Sequence, residues 1–180
     1  MLIPMKEFPY LLISKNAAES ALSDDKVQSN ISVINFLRSS GIHDDELHAD
    51  AFASYCVDYF YTILHEDGFA SFVWKSKWDL DLIEIIHAGI LALNDPAYID
   101  YFEKQMRRIK ALSKVKLTKF LEQPFTHTSE LAKLIDDDSF KVFETNLRET
   151  NAQWITAHPD LHIATLDEMQ EIIQEFIAKE

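Results

Sequence analysis

A helical stretch that stops at a single glycine is the feature of this chain that most restricts its fold. Apolar residues recur between Phe52 and Ile63 with the period of an α-helix that buries one face. Gly68 is then predicted to end the helix as the left-handed residue of a Schellman cap, in which Phe69 contacts Leu64. The stretch Ala51–Trp74 therefore predicts a central helix, a chain reversal and an aromatic anchor. The periodic residues are Phe52, Tyr55, Cys56, Tyr59, Phe60 and Ile63.

Composition extends this helical interpretation to the whole chain. The 180 residues include only 3 glycines and 5 prolines, well below the roughly 12% of average usage, which disfavours a turn-rich β architecture. A chain of this length can bury a core as one domain. We therefore predict an all-α fold, a single irregular helical domain of about seven to eight helices over residues 1–180. Residues 1–16 are expected to form a partly extended N-terminal arm.

Local signals predict where several helices begin and end. One helix should run from about Ser23 to Ser40 and end at Gly41. Capping by Asp44 or Asp45 would make the central helix longer than twenty residues. Apolar residues from Phe140 to Trp154 predict a continuous helix to about Ala157. Further start signals are the N-cap Asp79, the pair Asp95-Pro96, the cap at Thr128 or Ser129, and the capping box Thr165–Glu168.

The charge of the chain restricts its partners. Seventeen basic and 30 acidic residues give a net charge of -13, and seven of the basic residues lie between Lys104 and Lys119. Direct binding to nucleic acid or anionic lipid is not expected, because phosphate binding depends on clustered Lys and Arg. The negative electrostatic field of the chain instead favours a basic partner. Solubility alone also accounts for acidity of this kind.

The sequence lacks the motifs of the common catalytic and nucleotide sites. Three glycines cannot form a GxGxxG or Walker loop, and neither HExxH nor CxxC occurs. Asp58 and Glu84 stand in apolar runs, but their spacings permit an exposed face. The single cysteine, Cys56, is expected to be a small buried side chain. We predict no enzymatic activity, no catalytic residues and no cofactor. No signal peptide or membrane span is evident, so a cytoplasmic location is expected.

Two groups of histidines and acids are candidate metal sites. The first contains His43, Asp44, Asp45, His48 and Asp50. The second is the pair His158 and His162, which a proline separates. One of the acids is needed as a helix cap, and His43 lies outside the helix that carries His48. We therefore predict a solvated helix entrance and no metal site.

The segment Val57–Trp74, VDYFYTILHEDGFASFVW, resembles the bacterial DNA-mimic protein family. Its members carry an aromatic-rich helix, a turn of the form NGGF and a short Phe-aromatic segment. Here the turn reads His65-Glu66-Asp67-Gly68-Phe69, with Glu66 and Asp67 in place of Asn and Gly. The helix Ile85–Asn94 is similar to the one that follows in the family, and the resemblance covers roughly residues 47–105. The residues that match the family turn, Gly68 and Phe69, are those of a helix stop. The resemblance therefore supports the fold more than the function.

The resemblance implies an acidic protein-binding module that displays carboxylates where DNA displays phosphates. Such a module would occupy the DNA-binding surface of a transcription factor or other DNA-binding protein. Carboxylates three or four residues apart on a helix stand ~5 to 6 Å apart, near the spacing of phosphates along a strand. The alternative is an immunity or antitoxin-like protein that neutralises a basic toxin or nuclease. Family members are dimers, so a homodimer is compatible with the resemblance. The candidate partner-binding acids are Asp44, Asp45, Glu46, Asp79, Asp81, Glu84, Asp136, Asp137, Asp138, Glu168, Glu171 and Glu175.

Overall fold

The computed structural model of the protein describes residues 6–178. Ten α-helices and one small parallel sheet account for the regular structure of that range, apart from two short 3₁₀ turns, so the all-α prediction is confirmed. The helices are α1 Lys15–Glu19, α2 Ser23–Ser39, α3 Ala49–Asp67, α4 Phe69–Lys75, α5 Leu80–Leu93, α6 Pro96–Ala111, α7 Lys114–Glu122, α8 Glu130–Ile135, α9 Leu147–Ala157 and α10 Leu166–Ile177. The strands are β1 Leu11–Ser14 and β2 Leu161–Ala164.

The contacts of the chain group into two compact units. Unit 1 contains the residues up to Tyr55 and those from Arg148 onward, whereas unit 2 contains Cys56–Leu147. The helix α3 contributes residues to both units. No helix in the described part of the chain is long and apolar enough to cross a membrane.

Unit 1 contains the sheet, which the sequence did not predict. Leu11 pairs with Leu161 and Ser14 with Ala164 in parallel register, and Leu11 and Leu12 are fully buried. The predicted arm is thus a strand from Leu11 to Ser14, followed by α1. The first five residues of the arm lie outside the described residues. A four-residue strand shows too little alternation to be recognised, and its partner lies 150 positions away in the sequence.

The end of α2 follows the predicted cap. Gly41 has a φ of +93°, its N–H donates to the Arg38 carbonyl at 3.1 Å, and the Ile42 N–H donates to the Leu37 carbonyl at 3.1 Å. These are the two hydrogen bonds of a Schellman motif. Glycine meets the need for a left-handed residue without the steric cost of a Cβ atom.

The start of α3 differs from the prediction. Asp44, Asp45 and Glu46 form a separate 3₁₀ turn, so α3 begins at Ala49 and has 19 residues. His48 precedes α3 and supplies its cap: Nδ1 accepts from the Ala51 N–H at 3.3 Å. The sequence rule favours Asp as an N-cap, but a histidine ring nitrogen satisfies the same backbone donor here.

Unit 2 is built on an aromatic core. Phe60, Phe72 and Phe102 are fully buried, and the Phe60 ring lies edge-on to Phe72 at 4.9 Å and to Phe102 at 5.0 Å. Such edge-to-face arrangements are favoured by the ring quadrupoles. Cys56 is buried as predicted.

Gly68 ends α3 as predicted, but the cap is simpler and a new helix follows at once. Its N–H donates to the Leu64 carbonyl at 3.1 Å, a single hydrogen bond with the i→i−4 spacing of an α-helix in place of the two of a Schellman cap. A φ of +87° and ψ of 172° place Gly68 in a region that essentially only glycine occupies. The residues from Phe69 onward then form α4, where the sequence predicted a chain reversal and an aromatic anchor but no helix.

The predicted continuous helix from Phe140 to Ala157 is interrupted. A 3₁₀ turn covers Ser139–Val142, and α9 begins only at Leu147. Phe140 is nevertheless buried, and its ring lies 5.8 Å from that of Tyr101. The helical period of the aromatic residues thus indicated that they are buried, although the segment does not form one continuous helix.

Candidate acidic binding surface

The helix α10 in unit 1 carries an outward-facing row of acids. Met169, Ile173 and Phe176 are buried on its inner side. The helix contains four acidic residues and no basic one. Because the buried residues recur every three or four positions, the acids are confined to the solvent side. The exposed acids are Asp167, Glu168, Glu171 and Glu175.

Glu168 is partly occupied by its own helix start. Its carboxylate accepts from the Thr165 N–H at 2.8 Å and from the Thr165 hydroxyl at 2.9 Å, which confirms the predicted capping box. The hydrogen bond from the Thr165 backbone, followed by the one from its hydroxyl, lowers the pKa of Glu168. Glu171 and Glu175 are exposed and make no side-chain hydrogen bond or ion pair with residues 6–178.

The acids of the 3₁₀ turn in unit 1 are mostly engaged. Asp44 accepts from the Arg38 guanidinium at 2.9 Å, and Glu46 accepts from the His43 N–H at 2.8 Å. Asp45 is exposed and has no such partner among the described residues. Only one of these three predicted carboxylates is therefore free for a partner.

Of the three predicted acids at the start of α5 in unit 2, one is engaged and two are not. Asp79 is the N-cap, since its carboxylate accepts from the Leu82 N–H at 3.0 Å. Asp81 and Glu84 are exposed, and neither makes a side-chain hydrogen bond or ion pair within the range 6–178. They lie three positions apart on one helix and can face a common partner.

Asp136 serves as a cap for a helix that is distant in the sequence. Its carboxylate accepts from the Ala70 N–H at 3.1 Å in the first turn of α4, where Gly68 has no side chain to do so. A Cβ atom on Gly68 would lie 3.1 Å from the same carboxylate oxygen. An acid is well suited to this end of a helix, which carries unpaired N–H donors.

Asp137 is the centre of a hydrogen-bonded cluster in unit 2. Its carboxylate accepts from the Lys104 ammonium and the Gln105 amide at 2.9 Å each and from the Ser139 N–H at 2.9 Å. Arg108 lies 3.4 Å away. Burial raises the pKa of Asp137, but the hydrogen bonds from Lys104, Ser139 and Gln105 outweigh it and hold the pKa well below its usual range.

The cluster fixes the segment after α8 onto α6. Arg108 donates to the carbonyl of Leu134 at 3.0 Å and to that of Asp136 at 3.3 Å. The Tyr101 hydroxyl donates to the Asp137 carbonyl at 2.8 Å, and burial raises the pKa of this phenol. The third acid, Asp138, pairs with Lys141 at 2.7 Å on the surface.

The twelve predicted acids thus separate into two classes. Seven are engaged in caps or ion pairs: Asp44, Glu46, Asp79, Asp136, Asp137, Asp138 and Glu168. Five are exposed without such contacts to any described residue: Asp45, Asp81, Glu84, Glu171 and Glu175.

Negative charge is concentrated in unit 1. Its residues include 6 basic and 15 acidic side chains, a net charge of -9, whereas unit 2 has 11 basic and 15 acidic side chains, a net charge of -4. The two units have the same number of acids, so the difference comes from the basic residues. The attraction for a cationic partner is therefore expected to be greater at unit 1.

Two further acids were missing from the predicted set. Asp167, exposed on α10, could have been recognised as an acid in the first turn after the capping residue Thr165. Asp58 is only 5% exposed, contrary to the expected exposed face, and the Thr62 hydroxyl lies 3.4 Å from its carboxylate. A lone acid on an otherwise apolar helix face was the available signal.

The predicted histidine groups are arranged differently in the fold. His48 and His158 come together, with ring centroids 5.7 Å apart. The Nε2 of His48 lies 3.1 Å from Asp160, and that of His158 lies 2.9 Å from Asp50. Within residues 6–178, no group of three or more His, Cys, Asp and Glu side chains could hold a metal ion.

Comparison with known proteins identifies the family. Residues 45–158, more than half of the chain, match the family described as DMP19-like protein. Neither the curated proteins nor the solved structures that were searched contain a match to the chain. The matched range includes all of unit 2 and ends before α10. The chain belongs to the DMP19-like family, a family of DNA-mimic proteins, which confirms the resemblance drawn from Val57–Trp74.

Proposed function

We propose that this protein is an acidic binding module that occupies the DNA-binding surface of a transcription factor or other basic DNA-binding protein. The observation that carries the proposal is the match of residues 45–158 to a DNA-mimic family. The exposed carboxylates of the fold are the groups that would stand in for phosphates. The role assigned to the chain is binding, with no catalytic step and no cofactor.

The outer face of α10 is the strongest candidate for the mimic surface. Glu171 and Glu175 lie four positions apart, and Glu168 and Asp167 extend the row toward the helix start. The Cβ atoms of residues at such spacings lie ~5 to 6 Å apart. A basic surface that binds successive phosphates on one strand can pair with such a row.

The Asp81 and Glu84 pair on α5 is the second candidate. It lies inside the range that matches the family, whereas α10 lies outside it. Favouring α10 are the four acids of this helix and the -9 charge of unit 1, compared with -4 for unit 2. Because association rates follow the local field, the more negative unit should capture a cationic partner faster.

Capture from the cytosol of the source cell tests the proposal. The tagged protein is incubated with nuclease-treated lysate, and the captured proteins are eluted in parallel with duplex DNA and with increasing salt. We expect DNA-binding proteins to be recovered and released by both treatments, because the same basic surface would bind DNA and the mimic. Captured proteins that duplex DNA cannot displace, and that remain bound at high salt, would contradict mimicry.

Matched double variants locate the surface. Glu171→Gln/Glu175→Gln removes two charges from α10, and Asp81→Asn/Glu84→Gln removes two from α5. All four side chains are exposed, so neither variant should alter folding by more than about 0.5 kcal/mol. We expect only the α10 variant to lose capture. Loss with the α5 variant alone would move the mimic surface to unit 2.

The proposal places the protein in the cytoplasm, together with the DNA-binding proteins it would bind. It also allows a homodimer, which would present two copies of the acidic row. Sedimentation of the purified protein measures the oligomeric state, and a dimer would double the number of carboxylates available to a twofold-symmetric DNA-binding protein.

A further inference from the structure

Unit 2 contains an apolar groove that the acidic surface does not use. It has a volume of about 640 Å³ and lies among α5, α6 and α7. Trp78, Ile83, Met106 and Leu117 contribute to its wall. The volume is within the roughly 300–1,000 Å³ of small-molecule sites, which are lined mainly by apolar side chains with a few polar groups.

The backbone at one wall of the groove is strained. Lys77 and Trp78 have φ values of +54° and +50°, in the left-handed region that bulky residues rarely occupy. The Trp78 ring lies 6.1 Å from Phe69 and 6.5 Å from Phe72, and the Trp78 backbone N–H donates to the Ser76 hydroxyl at 3.2 Å. These contacts hold Trp78 against the groove, and strain maintained in this way is a common property of binding sites.

Three cations also line the groove. Arg107 and Lys110 follow Met106 on α6, and Lys114 is the first residue of α7. All three are exposed, and none makes a hydrogen bond or ion pair with a side chain among residues 6–178. By contrast, Lys104 and Arg108 on another face of α6 both contact Asp137.

The cations are not neutralised by acids of the groove. Glu103 is the single acid in its lining, and the Nε2 of His87 lies 3.1 Å from that carboxylate. The groove is thus a locally positive site in a chain of net charge -13. An occupant that presents apolar surface to the wall and negative charge to the rim would use both features of the groove, because charge-assisted hydrogen bonds to the cations add to the apolar contact.

We propose that this groove binds a small amphipathic carboxylate, with the alkyl body between Trp78, Ile83, Met106 and Leu117 and the head group beside Arg107, Lys110 and Lys114. Charge complementarity selects an anion, and the volume selects a small molecule. The groove volume of about 640 Å³ is within the range of small-molecule sites. This site is independent of the DNA-mimic role.

The test uses dodecanoate, below its micelle-forming range, as the probe. Titration of the purified protein is followed by calorimetry and by amide chemical shifts, with dodecanol, dodecyltrimethylammonium and acetate as comparison ligands. We expect saturable binding of dodecanoate alone, with shifts confined to Trp78 and the segments α5, α6 and α7 that line the groove. Decanoate should bind about tenfold more weakly, because two methylene groups leave the apolar wall.

Charge-reversal variants test the head-group assignment. Lys114→Glu should weaken dodecanoate binding by about fivefold and Arg107→Glu/Lys110→Glu by more. The matched control is Lys116→Glu, which changes another exposed cation of α7 that is not among the residues lining the groove. Thermal unfolding of each variant verifies that the fold is retained.

Several results would overturn the proposal. Binding of dodecanol with equal affinity, or an unchanged affinity in Lys114→Glu, would show that the cations do not recognise the ligand. Absence of saturable dodecanoate binding would remove the site altogether. If Lys114→Glu instead converts a dimer to a monomer in sedimentation, the groove is occupied by a second copy of the chain.

Discussion

The segment Asp136–Asp138 and the helix α10 are both rich in acids, but the carboxylates of the two regions have opposite roles. Asp136 and Asp137 accept hydrogen bonds from α4 and α6 within unit 2, and the Asp137 side chain is only 13% exposed. Glu171 and Glu175 face solvent from a helix whose other side is buried. Local charge density therefore does not identify a binding surface. What distinguishes the two groups is whether cations and N–H donors of the same unit reach the carboxylates.

The largest expected effect concerns the engaged cluster. Asp137→Asn removes the charge that faces Lys104 and Arg108 and brings an amide donor toward the Gln105 amide. We expect a loss of about 3 kcal/mol in the free energy of unfolding, as for other broken buried ion pairs. Asp138→Asn is the matched control, because the exposed Asp138 side chain pairs with the exposed Lys141, and the change should cost at most about 0.5 kcal/mol. Urea unfolding measures both, and equal effects would contradict the distinction.

The same cluster predicts how stability depends on pH. The folded-state pKa of Asp137 lies below its unfolded value, so its contribution is complete above the unfolded pKa of about 3.9 and is lost as pH falls toward the folded value. The difference in unfolding free energy between the wild type and Asp137→Asn should therefore be greatest near neutral pH and shrink below about pH 4. A difference that stays constant down to pH 2.5 would show that Asp137 is not the stabilising anion.

A smaller effect is expected at the glycine beside Asp136. Gly68→Ala places a Cβ atom at a φ of +87° and 3.1 Å from the Asp136 carboxylate, which should cost about 2 kcal/mol. Gly41→Ala has a similar φ of +93° but nothing within 4 Å, so it should cost about 1 kcal/mol. The excess at Gly68, measured by thermal unfolding, combines the close approach of Asp136 with the greater backbone cost of the region that Gly68 occupies. Equal losses would exclude both contributions.

The α10 cap should have the smallest effect on stability. Thr165→Ala removes the acceptor of the Glu168 N–H and should cost about 1 kcal/mol. It should also release the Glu168 carboxylate from the Thr165 hydroxyl, so the pKa of Glu168 should rise toward its usual value. NMR titration of the Glu168 carboxyl carbon measures this shift, with Glu171 in the same spectrum for comparison.

Local chemistry made part of this fold predictable from the sequence. The stop at Gly41 and the caps at Asp79, Asp95 and Thr165 each depend on residues within a few positions of one another. Helix periodicity and the near absence of glycine and proline then sufficed for the all-α class. The buried face of α10 follows from the same period.

The remainder depends on contacts between distant residues. The parallel pairing of β1 with β2 and the cap that Asp136 gives to α4 join segments 150 and 66 residues apart. No spacing rule connects Lys104 and Gln105 with Asp137, so its role as the centre of a cluster could not be predicted. Acids such as Glu171 could be proposed as candidates from the sequence. Only the folded chain separates the acids without hydrogen bonds or ion pairs from those engaged in caps and ion pairs.

The most direct test of the mimic assignment is the salt dependence of partner binding. The dissociation constant of a captured DNA-binding protein is measured over a series of salt concentrations with the wild type and with Glu171→Gln/Glu175→Gln. We predict steep weakening with salt for the wild type, at least about tenfold weaker binding of the variant at low salt, and a shallower slope, because two carboxylates no longer pair with cations. Identical affinity and slope for the two proteins would contradict the central claim that α10 displays carboxylates in place of DNA phosphates.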